Sequence, residues 1–176
     1  MKNLHARLLL ALSWLCLLLL AAPAFAQKPA EDKSKRPSPP ATVTGPTFTI
    51  DYSRPSLKGR KAFGGQLVPY GQVWRTGANE ATTFEAKQAV TINGQTLPAG
   101  KYALFTIPGE QEWTIIFNKT ANQWGAFKYD AAQDALRVKV TPTKTAAPVE
   151  QFTISSSNAG VVTMAWENAQ ASFTVK

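Results

Sequence analysis

Two residue types that dominate enzyme active sites are almost missing from this chain, which has one histidine, His5, and one cysteine, Cys16. Both lie in the first 26 residues, and that stretch has the marks of a secretory signal peptide. Lys2 and Arg7 precede an apolar run from Leu8 to Ala22, and Pro23-Ala24-Phe25-Ala26 supplies an Ala-x-Ala end. Cleavage is expected after Ala26, with the mature protein exported to the periplasm or the cell exterior. The run is too short for a comfortable span of about 20 residues, so membrane contact is expected only through the transient signal peptide. Ser13-Trp14-Leu15, just before Cys16, is too bulky for a lipid-attachment signal.

Removing that segment leaves no His and no Cys. Disulfides, thiol chemistry, Ser-His-Asp or Cys-His catalysis and zinc sites of the usual Cys/His kind are thereby excluded. Also missing are an Asp-x-Asp-x-Asp-Gly calcium loop and, after Gly64-Gly65, the Gly-Lys-Ser/Thr of a phosphate loop. No metal and no cofactor is expected, and the folded part must be held by its core alone.

The charge excess is modest once it is divided along the chain. It falls from +8 overall to +6 without Lys2 and Arg7, and to +4 over residues 47–176. That is thin for a nucleic-acid binder, and no strand combines aromatic and basic residues as such binders do, so no nucleic-acid partner is expected. Gln27 to Pro46 has five prolines, mixed charges and Val43 as its only large apolar residue. Such a stretch buries too little apolar surface to offset ordering and is expected to be a disordered Pro-rich linker over 27–46. Residues 47–176 are long enough to form one core in a single domain.

Within that domain the apolar residues keep period two, never 3.6 over three turns. Thr47–Ser53 alternates, with Phe48, Ile50 and Tyr52 on one face. Further strands are expected over Ala81–Lys87 and over Ala89–Ile92, where Asn93-Gly94 signals a two-residue hairpin turn. Lys101–Ile107 and Glu112–Asn118 are apolar on both faces and read as a central hairpin; Pro108-Gly109 between them suits a type II turn. Thr120–Gln133 reads as a long loop with a helical turn near Asp130–Asp134. Leu136–Thr141 follows as a strand, Thr143–Pro148 as a connection, and Gln151–Ser155 as a strand. Val161–Trp166 and Ala171–Val175 read as a final pair around Asn168. The expectation is all-β: an antiparallel β-sandwich or flattened barrel of roughly nine strands.

Arg54 to Thr83 stands apart from this pattern. It carries five glycines, two prolines, Arg54, Lys58, Arg60, Lys61 and Arg75, and the rings of Tyr70 and Trp74. Guanidinium forks hold carboxylates, phosphates or sulfates bidentately, and an aromatic ring beside planar hydrogen-bonding groups suits a sugar. Arg54, Arg60, Trp74, Arg75, Asn79 and Glu80 are therefore the candidate ligand-binding residues, with Trp124 as a second wall. The ligand expected is small and polar, anionic or carbohydrate-like. One alternative is a carboxylate-dependent glycan hydrolase using Glu80 and Asp51, whose carboxyls would stand about 5 to 9.5 Å apart. Another is a structural interaction domain in which these arginines are internal struts to acids such as Asp51 or Glu80. The inventory favours binding over catalysis, and no catalytic residue is assigned.

Several segments resemble a known family. They are Tyr52–Ser56, Lys58-Gly59-Arg60, Leu67–Gly71, Val73–Thr83, Leu97–Pro108, Glu112-Trp113 and Asn122–Gly125. They are similar to a family of secreted bacterial proteins filed as domain of unknown function 2911, and the resemblance covers nearly all of 47–176. It implies a single secreted domain, and neither an activity nor any site residue.

Overall fold

The computed structural model describes residues 31–176; the expected signal peptide and linker residues 27–30 lie outside the described residues. Ten strands follow in order: β1 (Pro40–Thr44), β2 (Phe48–Ser53), β3 (Thr82–Ala86), β4 (Val90–Ile92), β5 (Gln95–Leu97), β6 (Gly100–Ile107), β7 (Trp113–Asn118), β8 (Asp134–Val140), β9 (Thr143–Ser156) and β10 (Val161–Thr174). Six of them form one antiparallel sheet, β1-β2-β3-β6-β7-β8. Its two ends do not meet, so the fold is an open sandwich rather than a barrel.

The inner face of this sheet is built by the period-two residues. Phe48, Ile50, Phe84, Leu104, Ile115, Phe117 and Val138 all project into one buried cluster. Opposite them lie Phe152, Ile154, Val162, Met164, Trp166 and Phe173 from the long β9–β10 hairpin, and Ile92 and Leu97 from the β4–β5 hairpin. Two backbone links widen this second layer. Leu57 donates to the Glu150 carbonyl and Phe152 to that of Pro55, which seats residues 55–57 along β9. Thr91 and Lys176 exchange backbone bonds at 2.7 and 3.0 Å, which seats β4 along the end of β10.

Four local expectations need correction. First, the segment expected to be disordered contains β1, which pairs with β2 from Pro40↔Ser53 to Thr44↔Thr49. Backbone hydrogen bonds to an exposed sheet edge hold it, and such bonds leave no trace in side-chain hydropathy; Pro40 is tolerated as the first residue of an edge strand. Second, Thr143–Pro148 belongs to β9. Between Lys144↔Ala169 and Val149↔Glu167, β9 advances five positions while β10 advances two, and this bulge breaks the alternation that would have marked a strand. Third, Val161–Thr174 is one bulged strand, not a pair around Asn168. Fourth, Gly109 lacks the positive φ of a type II turn, and the β6–β7 link runs through residues 108–112. The Asn93-Gly94 turn is as expected, with φ +48 and +83.

The β9–β10 link makes one position intolerant. Gly160 has φ +77, its amide donates to Ser157 O at 2.9 Å, and its carbonyl accepts from Val175 N–H at 2.8 Å. A Cβ there would run into the Val175 carbonyl oxygen. Gly160→Ala is expected to destabilise the fold by more than about 2 kcal/mol, since left-handed strain alone is worth about 1–2 kcal/mol. The check is a lower urea midpoint at unchanged m-value.

Candidate functional site

Strands β6 and β7 are apolar on both faces, so their outer face also needs a cover. Ala103, Phe105 and Ile116 form a second, smaller core there with Ala81, against which Val73, Ala126 and Tyr129 pack. The cover is the loop 119–133, and its position is set by hydrogen bonds. Buried Asn118 donates through Nδ2 to Asp130 O at 2.9 Å and Asp134 Oδ1 at 2.7 Å, while its Oδ1 accepts from Thr120 N–H at 3.0 Å. Tyr129 donates to Asp134 Oδ2 and accepts from Arg137 Nη2, both at 2.6 Å. Burial first, and then the neighbouring Asp134 carboxylate, push the Tyr129 phenol up to about 12, so it stays a donor. At its centre the loop is sewn to residues 79–81: Ala81 donates to Gln123 O at 3.0 Å and Gly125 to Asn79 O at 3.1 Å.

Between this loop and the uncovered part of the sheet runs a groove of about 470 Å³. Its floor is the outer face of β2, β3 and β6, with Asp51, Thr83 and Lys101; its loop wall is Asn122, Gln123 and Trp124; Lys33 and Glu80 border it. Trp124 is 57% exposed, although its backbone is fixed by the bridge to Glu80. Arg36 stands 5.8 Å from the Trp124 ring centroid. Gln123 donates through Nε2 to Thr120 O, whereas its Oε1 is buried and has no donor among the described residues.

The six candidate residues do not converge on this groove. Arg54 lies along β9, donating through Nε to Phe152 O at 3.3 Å and through Nη2 to Thr153 Oγ1 at 3.0 Å. Arg60 closes its own turn on the carbonyls of Leu57 and Ser56, both at 2.9 Å. Trp74 is 7% exposed, with its ring stacked on Trp166 at 5.9 Å and edge-on to Phe152 at 5.0 Å, and is a core residue. Asn79 donates to Ser38 O at 3.2 Å and so fastens the segment before β1. Arg75 opens to a separate hollow beside Phe127. Of the six, only Glu80 borders the groove.

Glu80 is held by the segment before β1. Arg36 Nη1 donates to its Oε2 at 2.6 Å, and Lys33 Nζ stands 3.0 Å from its Oε1. The Arg36 side chain is only 11% exposed, that of Glu80 37%. Partial burial favours the neutral acid, but the bonds from Arg36, the backbone and Lys33 outweigh it and bring the carboxyl from 4.5 down to about 2. A group so held is ionised at every physiological pH and cannot serve as a general acid. The other groove charges are also engaged: Asp51 Oδ1 accepts from Thr42 Oγ1 at 2.7 Å, and Lys101 Nζ lies 3.7 Å from Glu85.

Lys33 and Arg36 carry no signal in the sequence, because they sit in a stretch with the composition of a linker. Asn122, Gln123 and Lys101 belong to no motif, and only Trp124 stands out, as an aromatic residue in a loop.

Two consequences can be measured. Since the Glu80 carboxyl is lowered on folding, its stabilisation is complete above pH 4.5 and is lost as pH falls toward about 2. Glu80→Gln should flatten this part of the stability profile in denaturant titrations at stepped pH, leaving the neutral arm displaced. Asn118→Ala should release the loop: hydrogen exchange of amides 120–130 should rise by about tenfold or more, with the β2–β3 amides changing far less.

No curated protein and no solved structure matches this chain. A family model described as a protein of unknown function, DUF2911, matches residues 34–175, beginning ahead of β1 and ending just past β10. The match takes in the groove from Asp51 to Trp124 as well as Arg36, and the chain belongs to this family of unknown function.

Proposed function

We propose that this domain is an exported binding module that takes a small, uncharged carbohydrate-like ligand in the groove between Trp124 and the outer face of β2, β3 and β6. The observation that carries the reading is the Trp124 ring, which is more than half exposed on a loop whose backbone is fixed at residues 123 and 125. The Arg36 guanidinium lies over the ring at 5.8 Å from its centroid, yet more than half of the residue stays in water, and such apolar surface suits the apolar face of a pyranose. Around it stand short-range polar partners for hydroxyls: Asn122, Thr83 and Asp51. The volume of about 470 Å³ fits a mono- or disaccharide.

Charge favours a neutral ligand over an anionic one. Lys33 is engaged by Glu80 and Lys101 by Glu85, so an incoming anion would have to compete with carboxylates already in place. The hydrolase alternative finds no support, because Glu80 holds no proton to give. Bracing accounts for Arg54, Arg60, Asn79 and Glu80, and that role is compatible with a binding groove at their margin.

The test is a titration of neutral mono- and disaccharides, with a sugar acid alongside, followed by melting temperature and tryptophan fluorescence. At a hundred times the dissociation constant a binder gains about 2.7 kcal/mol, a shift that is easily read. Trp124→Ala is expected to weaken binding by about tenfold or more with folding intact, since the apolar face of the sugar loses the ring that removes it from water at about 25 cal/mol per Å². Silence across the panel, or equal binding by Trp124→Ala, sinks the reading.

A further inference from the structure

Arg75 is the cation for which the groove has no use. Its Nε is buried and without an acceptor, and among the described residues no carboxylate lies within ion-pair distance of the guanidinium. Arg60, by contrast, spends its fork on carbonyls, and Arg54 on a carbonyl and the Thr153 hydroxyl. Desolvation by burial lowers the Arg75 pKa, the sign expected for a charge taken from water without compensation. Arg75 is partly buried, and a cation drawn out of water costs free energy unless something pairs it.

The hollow beside Arg75 has the character of a binding pocket. It encloses about 260 Å³, and apart from Gln72 and Arg75 its walls are apolar: Leu67, Val68, Val73 and the ring of Phe127 are among them. Phe127 is 84% exposed, an unusual place for a phenyl ring. The ring is not adrift, because it lies over Gly125. A Cβ at Gly125 would meet Phe127 Cε2 at 3.0 Å and Arg75 Nη1 at 3.7 Å, so the glycine lets ring and guanidinium approach each other.

We propose that this hollow is a second binding site, which takes a small monocarboxylate with an apolar body, its carboxylate on Arg75 and its body between Phe127 and the Leu67–Val68 wall. One cation lines the hollow, so a singly charged anion balances it, and a multiply charged phosphate would be left uncompensated. Apolar walls reward a hydrocarbon body at about 25 cal/mol per Å² removed from water, which inorganic anions cannot supply. A closed cavity of about 150 Å³ already admits benzene, so a pocket of about 260 Å³ has room for a benzoate- or hexanoate-sized molecule. Gln72 at the rim offers an amide donor for the second carboxylate oxygen. The site shares no side chain with the sugar groove, so either can fail without the other.

The experiment is a titration of the full mature chain with hexanoate and benzoate, read by NMR at the arginine Nε–H resonances. Hexan-1-ol, benzyl alcohol and inorganic phosphate serve as probes lacking the charge or the apolar body. The Arg75 Nε–H is expected to move along a saturable curve with the two carboxylates and not with the three controls. Arg75→Gln removes that reporter, so this variant is followed at the Gln72 side-chain amide, which should saturate with the two carboxylates in the parent and not in the variant. Phe127→Ala removes only an exposed ring, so folding is not at stake, and it should weaken binding by about threefold to tenfold because one apolar wall no longer covers the hydrocarbon body. The proposal is overturned if the carboxylate response is linear, if the alcohols act equally, if phosphate saturates the same resonance, or if Phe127→Ala binds as the parent does.

Discussion

The central hairpin β6–β7 is apolar on both of its faces, and that imposes a condition on everything around it. A sheet face carrying Phe105 and Ile116 cannot be left in water, so the chain must supply a third layer where a simple sandwich has two. The loop 119–133 supplies it. A loop brought over a sheet must satisfy its own backbone, and Asn118, Asp130, Asp134 and Tyr129 do this from its two ends. Because the cover extends only over β6 and β7, the outer faces of β2 and β3 stay open, and the step between covered and uncovered sheet is the groove.

The same loop places two aromatic residues in solvent. Trp124 stands at the groove and Phe127 at the hollow beside Arg75, with Gly125 between them held to Asn79. These two exposed rings are the features on which the proposed sites rest. The two hollows differ in chemistry: the charged groups of one are already paired, whereas the other is apolar with a single cation that has no carboxylate partner among the described residues.

The stretch from Arg54 to Thr83 turns out to be chiefly a clamp. Residues 55–57 extend the second layer along β9, Trp74 enters the main core, and residues 79–81 hold both the loop and the segment before β1. Its glycines and arginines suggested a recognition loop, and the arginines do bind, but mostly to carbonyls of the chain itself. Guanidinium forks recognise a carbonyl edge by the same geometry with which they recognise an anion, so residue type could not separate the two uses.

What could be read from the chain was whatever depends on neighbours in sequence: the period-two strands, the Asn93-Gly94 turn, the doubly apolar hairpin, and the absence of His and Cys chemistry beyond the first 26 residues. Those features are local, and side-chain hydropathy reports them directly. What only the tertiary structure decided was partnership at long range. β1 is held by backbone pairing to β2, Arg36 reaches Glu80 across 44 positions, and Arg54 reaches Phe152 across 98. Main-chain hydrogen bonds are the same for every residue type, and an arginine carries no mark of which acceptor it will meet. The number and placing of the strands thus follow from pattern, whereas the position of the groove and the isolation of Arg75 follow from how the loop closes over the sheet.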